Sequence, residues 1–300
     1  MRPLCGTRGG QKNNVREKPM KPMKKKTKIS TVILIAVFFV GLCVMLYPSL
    51  SSYWNSKTQS EAIVDYEKML AEMGYADYSE DFLKADEYNR ALAELDAPLY
   101  EYTKLDGYHT LDLAGTGMLG YIKIDKIAVE LPLYLTTSES VLAFAAGHLQ
   151  GTSLPIGGDT THSVISAHRG LPSATLFTHL DRMEPGDTFE IKVLDRTITY
   201  QVDQIKVIDP SNVSDLAIEE GKDYCTLLTC TPYGINSHRL LVRGHAVDAS
   251  NEQHIYITSD AHQIEPLIVT PIVAIPMLFT LMIIVLMTPV QPEDPLEDLE

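Results

Sequence analysis

Tyr224-Cys225-Thr226-Leu227-Leu228-Thr229-Cys230-Thr231-Pro232-Tyr233-Gly234 is the stretch on which the fold turns. Its first seven residues form an apolar run that reads as a buried strand, and Pro232 with Gly234 ends it in a loop. Five residues of strand span about 16 Å at roughly 3.3 Å each, and odd spacing sends the two thiols to opposite faces. A disulfide needs Cα atoms within about 7 Å, so Cys225 and Cys230 are expected to stay unpaired. Cys225, in mid-run, reads as a small buried hydrophobe. Cys230 stands at the strand end, where a thiol is accessible. Position alone divides it evenly between buried hydrophobe and nucleophile.

Outward from this run, short β patterns recur at residues 120–124, 127–135, 163–166, 188–193, 198–202, 205–208 and 239–247, with turn signals such as Pro185-Gly186-Asp187 between them. Counting the cysteine strand, they predict a mainly β domain over 118–250, a closed or nearly closed eight-stranded barrel with short helices. Residues 50–117 read as helical instead. Ile63, Tyr66, Met69, Leu70 and Met73 recur at helical spacing up to Gly74. Ser79 followed by Glu80 and Asp81 marks a second start, with Phe82, Ala85, Tyr88, Leu92 and Leu95 as its apolar face.

The flanks differ from the centre. Residues 1–28 carry ten Lys and Arg against one acid, Glu17, and residues 29–49 are almost wholly apolar. About 20 helical residues cross a hydrocarbon core of roughly 30 Å. The run outlasts a signal-peptide core of roughly 7–15 residues. It ends in Tyr47, Pro48 and Leu50 and so reads as a retained anchor. Residues 266–288 lack charge, and Pro271 and Pro276 suit a membrane helix better than a soluble one. Two spans put both termini on one side, and the basic tail makes that side cytoplasmic. A linker (251–265) and an acidic tail (289–300) complete the division. The barrel is then extracytoplasmic. Residues 50–265 hold 15 basic and 33 acidic side chains, which argues against nucleic acid or an anionic surface as the main partner. An unpaired thiol on such a domain needs a reason.

A nucleophilic thiol needs a base or a cation beside it, since a free thiol of pKa about 8.5 is only a few per cent thiolate at neutral pH. Of nine histidines, His168 ends the run Val164-Ile165-Ser166-Ala167, a second strand exit into a Gly/Pro loop. Two strands of one barrel can present such ends at one rim. Arg239 and Arg243 lie on the strand after the cysteine loop and share a face. Either could stabilise an oxyanion or hold a substrate carbonyl, and spacing does not choose between them. No metal-ligand spacing and no phosphate loop is present, so no cofactor is expected.

Thr226-Leu227-Leu228-Thr229-Cys230 resembles the Thr-Leu-x-Thr-Cys signature of sortases. The continuation through Cys230-Thr231-Pro232-Tyr233-Gly234-Ile235-Asn236-Ser237-His238-Arg239 to Gly244 is similar to the class C, pilus-assembling members. So are Gly147-His148-Leu149-Gln150-Gly151-Thr152-Ser153-Leu154-Pro155 and Ser166-Ala167-His168-Arg169-Gly170-Leu171-Pro172. The resemblance implies a sortase-like barrel with Cys230 as nucleophile, His168 as acid/base and Arg239 as the arginine. It implies cleavage of an LPxTG-like signal on pilin or surface proteins. The acceptor would be a pilin lysine amine or, in a housekeeping enzyme, a cell-wall precursor amine; the alternative of another class is a non-catalytic membrane scaffold that binds pilins. Class C members often carry an Asp-Pro-aromatic lid, a tripeptide this chain lacks. The nearest string, Asp96-Ala97-Pro98-Leu99-Tyr100, offers Asp96 to meet Arg239 and Tyr100 to cover Cys230, or else an ordinary loop.

Overall fold

A computed structural model describes residues 29–74, 77–247, 275–280, 282–284 and 287. The basic tail, the linker, the acidic tail and most of the second apolar run lie outside these residues; those described within 266–288 are helical.

Helix α1 (Ile29–Glu72) is one continuous helix through Pro48, so the anchor and the helical pattern that ends at Gly74 belong to a single rod. Its N-terminal part is apolar, exposed and long enough to cross a bilayer. Its C-terminal part packs on the barrel. Ile63 and Tyr66 bury against Met118. The Tyr66 hydroxyl donates to the Leu119 carbonyl (2.7 Å) and accepts from the Leu194 N–H (2.8 Å). Helix α2 (Ser79–Ala93) buries Phe82, Ala85, Tyr88 and Leu92 as its spacing predicts. Its N-cap position is Tyr78, with no side-chain cap, and just before it the Asp77 carboxylate accepts from the Ser79 N–H at 3.0 Å. On the same face the buried Asn89 donates to the Leu154 carbonyl (3.1 Å) and accepts from its N–H (2.7 Å), clamping a loop that has no strand partner. A short α3 (Pro98–Glu101) follows.

The barrel consists of β1 (Met118–Ile124), β2 (Val129–Tyr134), a turn of helix α4 (Glu139–Leu142), β3 (Ala146–His148), β4 (Thr161–Ser166), β5 (Thr188–Val193), β6 (Arg196–Ile208), β7 (Asp223–Thr231) and β8 (His238–Val247). It closes in the order β1-β2-β3-β4-β7-β8-β6-β5. Eight strands form as expected, but two differ in identity. The patterns at 198–202 and 205–208 are one strand, β6, with a register shift between Val202 and Gln204. The break between the two patterns falls at Asp203-Gln204. In the barrel it is a bulge that turns Asp203 outward to accept from Arg243 Nε and Nη2, both at 3.0 Å. The eighth strand is β3, three residues and too short for any periodicity to reveal. Alternate residues of the strands fill the interior, with Phe189 stacked on its cross-strand partner Tyr200 at 5.5 Å.

Candidate active site

Strands β4, β7 and β8 form a three-strand platform. Strands β4 and β7 run parallel, with Thr161 beside Asp223 and Ser166 beside Leu228. Beyond that ladder the Ala167 N–H donates to the Leu228 carbonyl (3.2 Å), and the buried Thr229 hydroxyl donates to the Ala167 carbonyl (2.8 Å). The ladder ends at Ser166 and Leu228, so His168 and Cys230 each stand two residues beyond it, at the same end of the platform. Strands β7 and β8 are antiparallel, and Cys230 lies directly opposite Arg239. Opposed residues of an antiparallel pair project on one face, so Cys230 and Arg239 share the outer face at the platform's end. His168, Cys230 and Arg239 are all partly exposed. Arg239 donates to the carbonyls of Asn236 (3.3 Å) and His238 (3.1 Å).

Arg243, the other candidate, stands four residues down β8 opposite Thr226. Its fork is held by Asp203, and its guanidinium stacks on Tyr224 at 4.0 Å. Cys225 pairs in register with Gly244 and is fully buried; burial pushes its thiol well above the ordinary range. Both barrel cysteines are unpaired.

Beside Cys230 and Arg239 the same face continues as Leu228, Leu241 and Val164, roofed by Val213 and Leu216 of the β6–β7 connection. His162 holds that roof down. Its Nδ1–H donates to the Ala217 carbonyl and its Nε2 accepts from the Thr226 hydroxyl, both at 2.8 Å, and burial lowers its pKa. His148 is fully buried between the Tyr108 hydroxyl (2.9 Å from Nδ1) and the Ser153 carbonyl (2.8 Å from Nε2), and burial brings its pKa down to about 4. Both are held as neutral structural rings.

Three features near the site escape sequence reasoning. Arg169, next to His168, pairs with Asp181 at 2.6 Å and donates to the Thr231 hydroxyl at 3.3 Å, tying the histidine exit to the cysteine exit. Gly170 sits at φ +78° with the Tyr233 ring against it, where a Cβ would meet a ring carbon at 3.1 Å. Asn55 of α1 donates to the Ser173 carbonyl at 2.9 Å, which anchors the loop after His168. An arginine following the histidine was the one signal available, and it reads equally as a surface charge.

Asp96 and Tyr100 do not join this cluster. They line a cavity of about 260 Å³ with Gly151, Val213, Leu216 and Ile218. Gly151, at φ +84°, lets the backbone of Leu99 approach so closely that a Cβ would lie 2.6 Å from its Cα. Among the described residues no ion pair links Asp96 to Arg239, and Tyr100 is 76% exposed.

A closed barrel with an accessible thiol opposite an arginine at its rim is the frame of a cysteine transpeptidase. The Sortase domain family matches residues 122–247. Among solved structures, sortase C1 of Streptococcus agalactiae is 45% identical with a TM-score of 0.57, covering 63% of this chain and 98% of its own. Streptococcus pneumoniae sortase C is 43% identical at 0.56, covering 63% and 97%. Sortase A of Bacillus anthracis is 23% identical over 222 residues, 74% of this chain and 96% of its own length. The chain belongs to the sortase family, with class C enzymes as its structural neighbours.

Proposed function

We propose that this transpeptidase cleaves an LPxTG-like sorting signal and joins it to a lysine amine of a pilin. The reading rests on one observation: Cys230 and Arg239 are cross-strand partners at the rim where the β4–β7 register also leads to His168. The Cys230 thiolate attacks the carbonyl between Thr and Gly. The oxyanion that forms is stabilised by the Arg239 guanidinium. Protonated His168 gives its proton to the leaving glycine amine, the C–N bond breaks and a thioester remains on Cys230. The incoming amine attacks the thioester, neutral His168 takes its proton, and the thiolate leaves.

Support for a pilin as substrate comes from the neighbours, since the S. pneumoniae sortase C is described with pilin substrate specificity. Asp96 and Tyr100 belong to this proposal as a candidate lid: a shift of the α3 segment would carry them from their cavity toward Arg239 and Cys230. Two spans with both termini cytoplasmic and the barrel outside complete it. The test is a reconstituted reaction of the full chain with an LPxTG peptide and a pilin domain. An isopeptide product that Cys230→Ala abolishes supports the proposal. Product formed equally by Cys230→Ala would overturn it, and release of the free acid with no response to added amine would make the chain a hydrolase.

A further inference from the structure

Helix α1 runs along the barrel in one direction, and that direction fixes which pole meets the membrane. Tyr66 reaches Leu119 and Leu194, and Glu67 pairs with Lys192 at 2.6 Å. Arg196, two residues past Leu194, donates to the Ile156 carbonyl beside Gly157, where Asp223 begins β7. This is the pole opposite Cys230. Nearer the apolar end of α1, Asn55 binds the Ser173 carbonyl and the Ser52 hydroxyl lies 3.4 Å from that of Thr175. Leu171 bridges to Ala174, and Gly170 packs against Tyr233 of the β7–β8 loop. The helix therefore descends from the far pole to the Cys230 pole and then enters its apolar stretch. From Tyr47 to Asn55 the rise is about 12 Å at 1.5 Å per residue, against headgroup layers of roughly 5–7 Å.

We infer that the catalytic pole faces the bilayer in which α1 is rooted and that the β7–β8 loop rests in its headgroup layer through Tyr233 and Ile235. Two independent features fit that occupant. Tyr233 is 59% and Ile235 71% exposed, and Tyr233 packs on Gly170 of the loop that α1 holds at Ser173. Charge agrees. The chain carries a net charge of −14, yet residues 167–180 and 224–239, which hold His168, Cys230 and Arg239, contain no Asp or Glu. An anionic surface repels the rest of the domain and admits these two loops first. The site would then receive a scissile peptide held close to the membrane, as on a protein still anchored there.

This rests on α1 crossing the bilayer, and the experiment separates the two. Full-length protein carrying Trp54→Phe, which removes the sole tryptophan, receives one reporter at a time: Ile235→Trp, Val37→Trp in the apolar stretch, or Glu220→Trp at the far pole. Vesicles of phosphatidylcholine and phosphatidylglycerol contain lipid with a nitroxide either just below the headgroup or near the chain end. The expected result is quenching of Ile235→Trp by the shallow nitroxide, of Val37→Trp by the deep one, and of Glu220→Trp by neither. Quenching of Val37→Trp with Ile235→Trp as unquenched as Glu220→Trp overturns the docking alone. An unquenched Val37→Trp overturns the anchor, and the docking with it.

Discussion

At one end of β7, Asp223 accepts hydrogen bonds from the Gly158 N–H (2.7 Å) and the Tyr200 hydroxyl (3.2 Å), and two residues on Cys225 is wholly buried. At the other end, Cys230 is partly exposed between a histidine exit and an arginine, on a loop of exposed residues. The closed end holds the Asp223 carboxylate in hydrogen bonds and fixes the strands in register. The open end uses that register to set Cys230 opposite Arg239, nine residues on, at the end of the platform where β4 exits toward His168. Residue type does not separate the two thiols; the face each presents and its distance from the end of the platform do.

The sharpest way to break this comparison is to remove each thiol in turn. Cys230→Ala is expected to lower turnover of an LPxTG peptide by roughly 10⁴-fold or more while leaving denaturant unfolding unchanged. Cys225→Ala should do the reverse, costing about 1 kcal/mol of stability with turnover retained. Iodoacetamide followed by mass spectrometry should label Cys230 in the native domain and Cys225 only after unfolding. Native labelling of Cys225 would contradict the burial on which the distinction rests.

The histidines extend the test. His168→Ala should reduce turnover by about 10²–10⁴-fold with stability kept. His148→Ala, which strands the Ser153 carbonyl and leaves the Tyr108 hydroxyl only its bond to the Leu135 carbonyl, should cost about 2–3 kcal/mol. The pH dependence carries a definite sign. His148 falls from 6.5 to about 4 on folding, so its neutral form is the folded one. Above pH 6.5 it adds no pH dependence. As pH drops toward 4 the unfolded state takes up the proton first, and stability falls by up to about 3 kcal/mol. Urea titrations between pH 7 and 4 should show that loss shrinking in a His148→Gln variant.

Much of the closed end was legible in the sequence, because alternation of apolar residues is what a barrel interior imposes. The β7 and β8 patterns, the free thiols and the face of α2 follow from periodicity alone. Asp203 was not legible, since a bulge and a turn draw on the same residue types and only the partner Arg243 distinguishes them. Nor was β3, whose three residues are held by neighbours on both sides. At the open end, periodicity could put His168 and Cys230 at strand exits, but their adjacency depends on β4 and β7 being parallel neighbours, a long-range fact. The choice of Arg239 over Arg243 came from resemblance. The structure supplies a physical reason for it: Arg243 is committed to Asp203 and Tyr224, whereas Arg239 lies opposite the thiol.

Those two arginines give a smaller effect of the same kind. Arg239→Lys keeps the charge but loses the planar fork, and should lower turnover by about 10²-fold with little change in stability. Arg243→Lys should cost about 1 kcal/mol through the lost two-pronged bond to Asp203 and the stacking on Tyr224, with turnover within a fewfold of the parent. Equal kinetic losses in the two variants would mean that β8 acts as a rigid unit and that facing Cys230 gives Arg239 no special part.

The smallest effect concerns how the open end keeps its shape. Gly170→Ala meets two separate obstacles, a φ of +78° and the Tyr233 ring 3.1 Å from the new Cβ. The backbone alone costs about 1 kcal/mol, and the ring must shift as well. Stability should therefore fall modestly and turnover a fewfold, because the loop carrying Tyr233 joins Cys230 to Arg239. Adding Tyr233→Ala removes the steric obstacle and leaves the backbone one. The double variant should then recover part of the lost stability relative to the sum of the single changes, a coupling of about 0.5–1 kcal/mol by a double-mutant cycle. Strict additivity would mean that the glycine is needed for its backbone angle alone. The packing of the histidine loop against the cysteine loop would then contribute nothing to holding the open end in place.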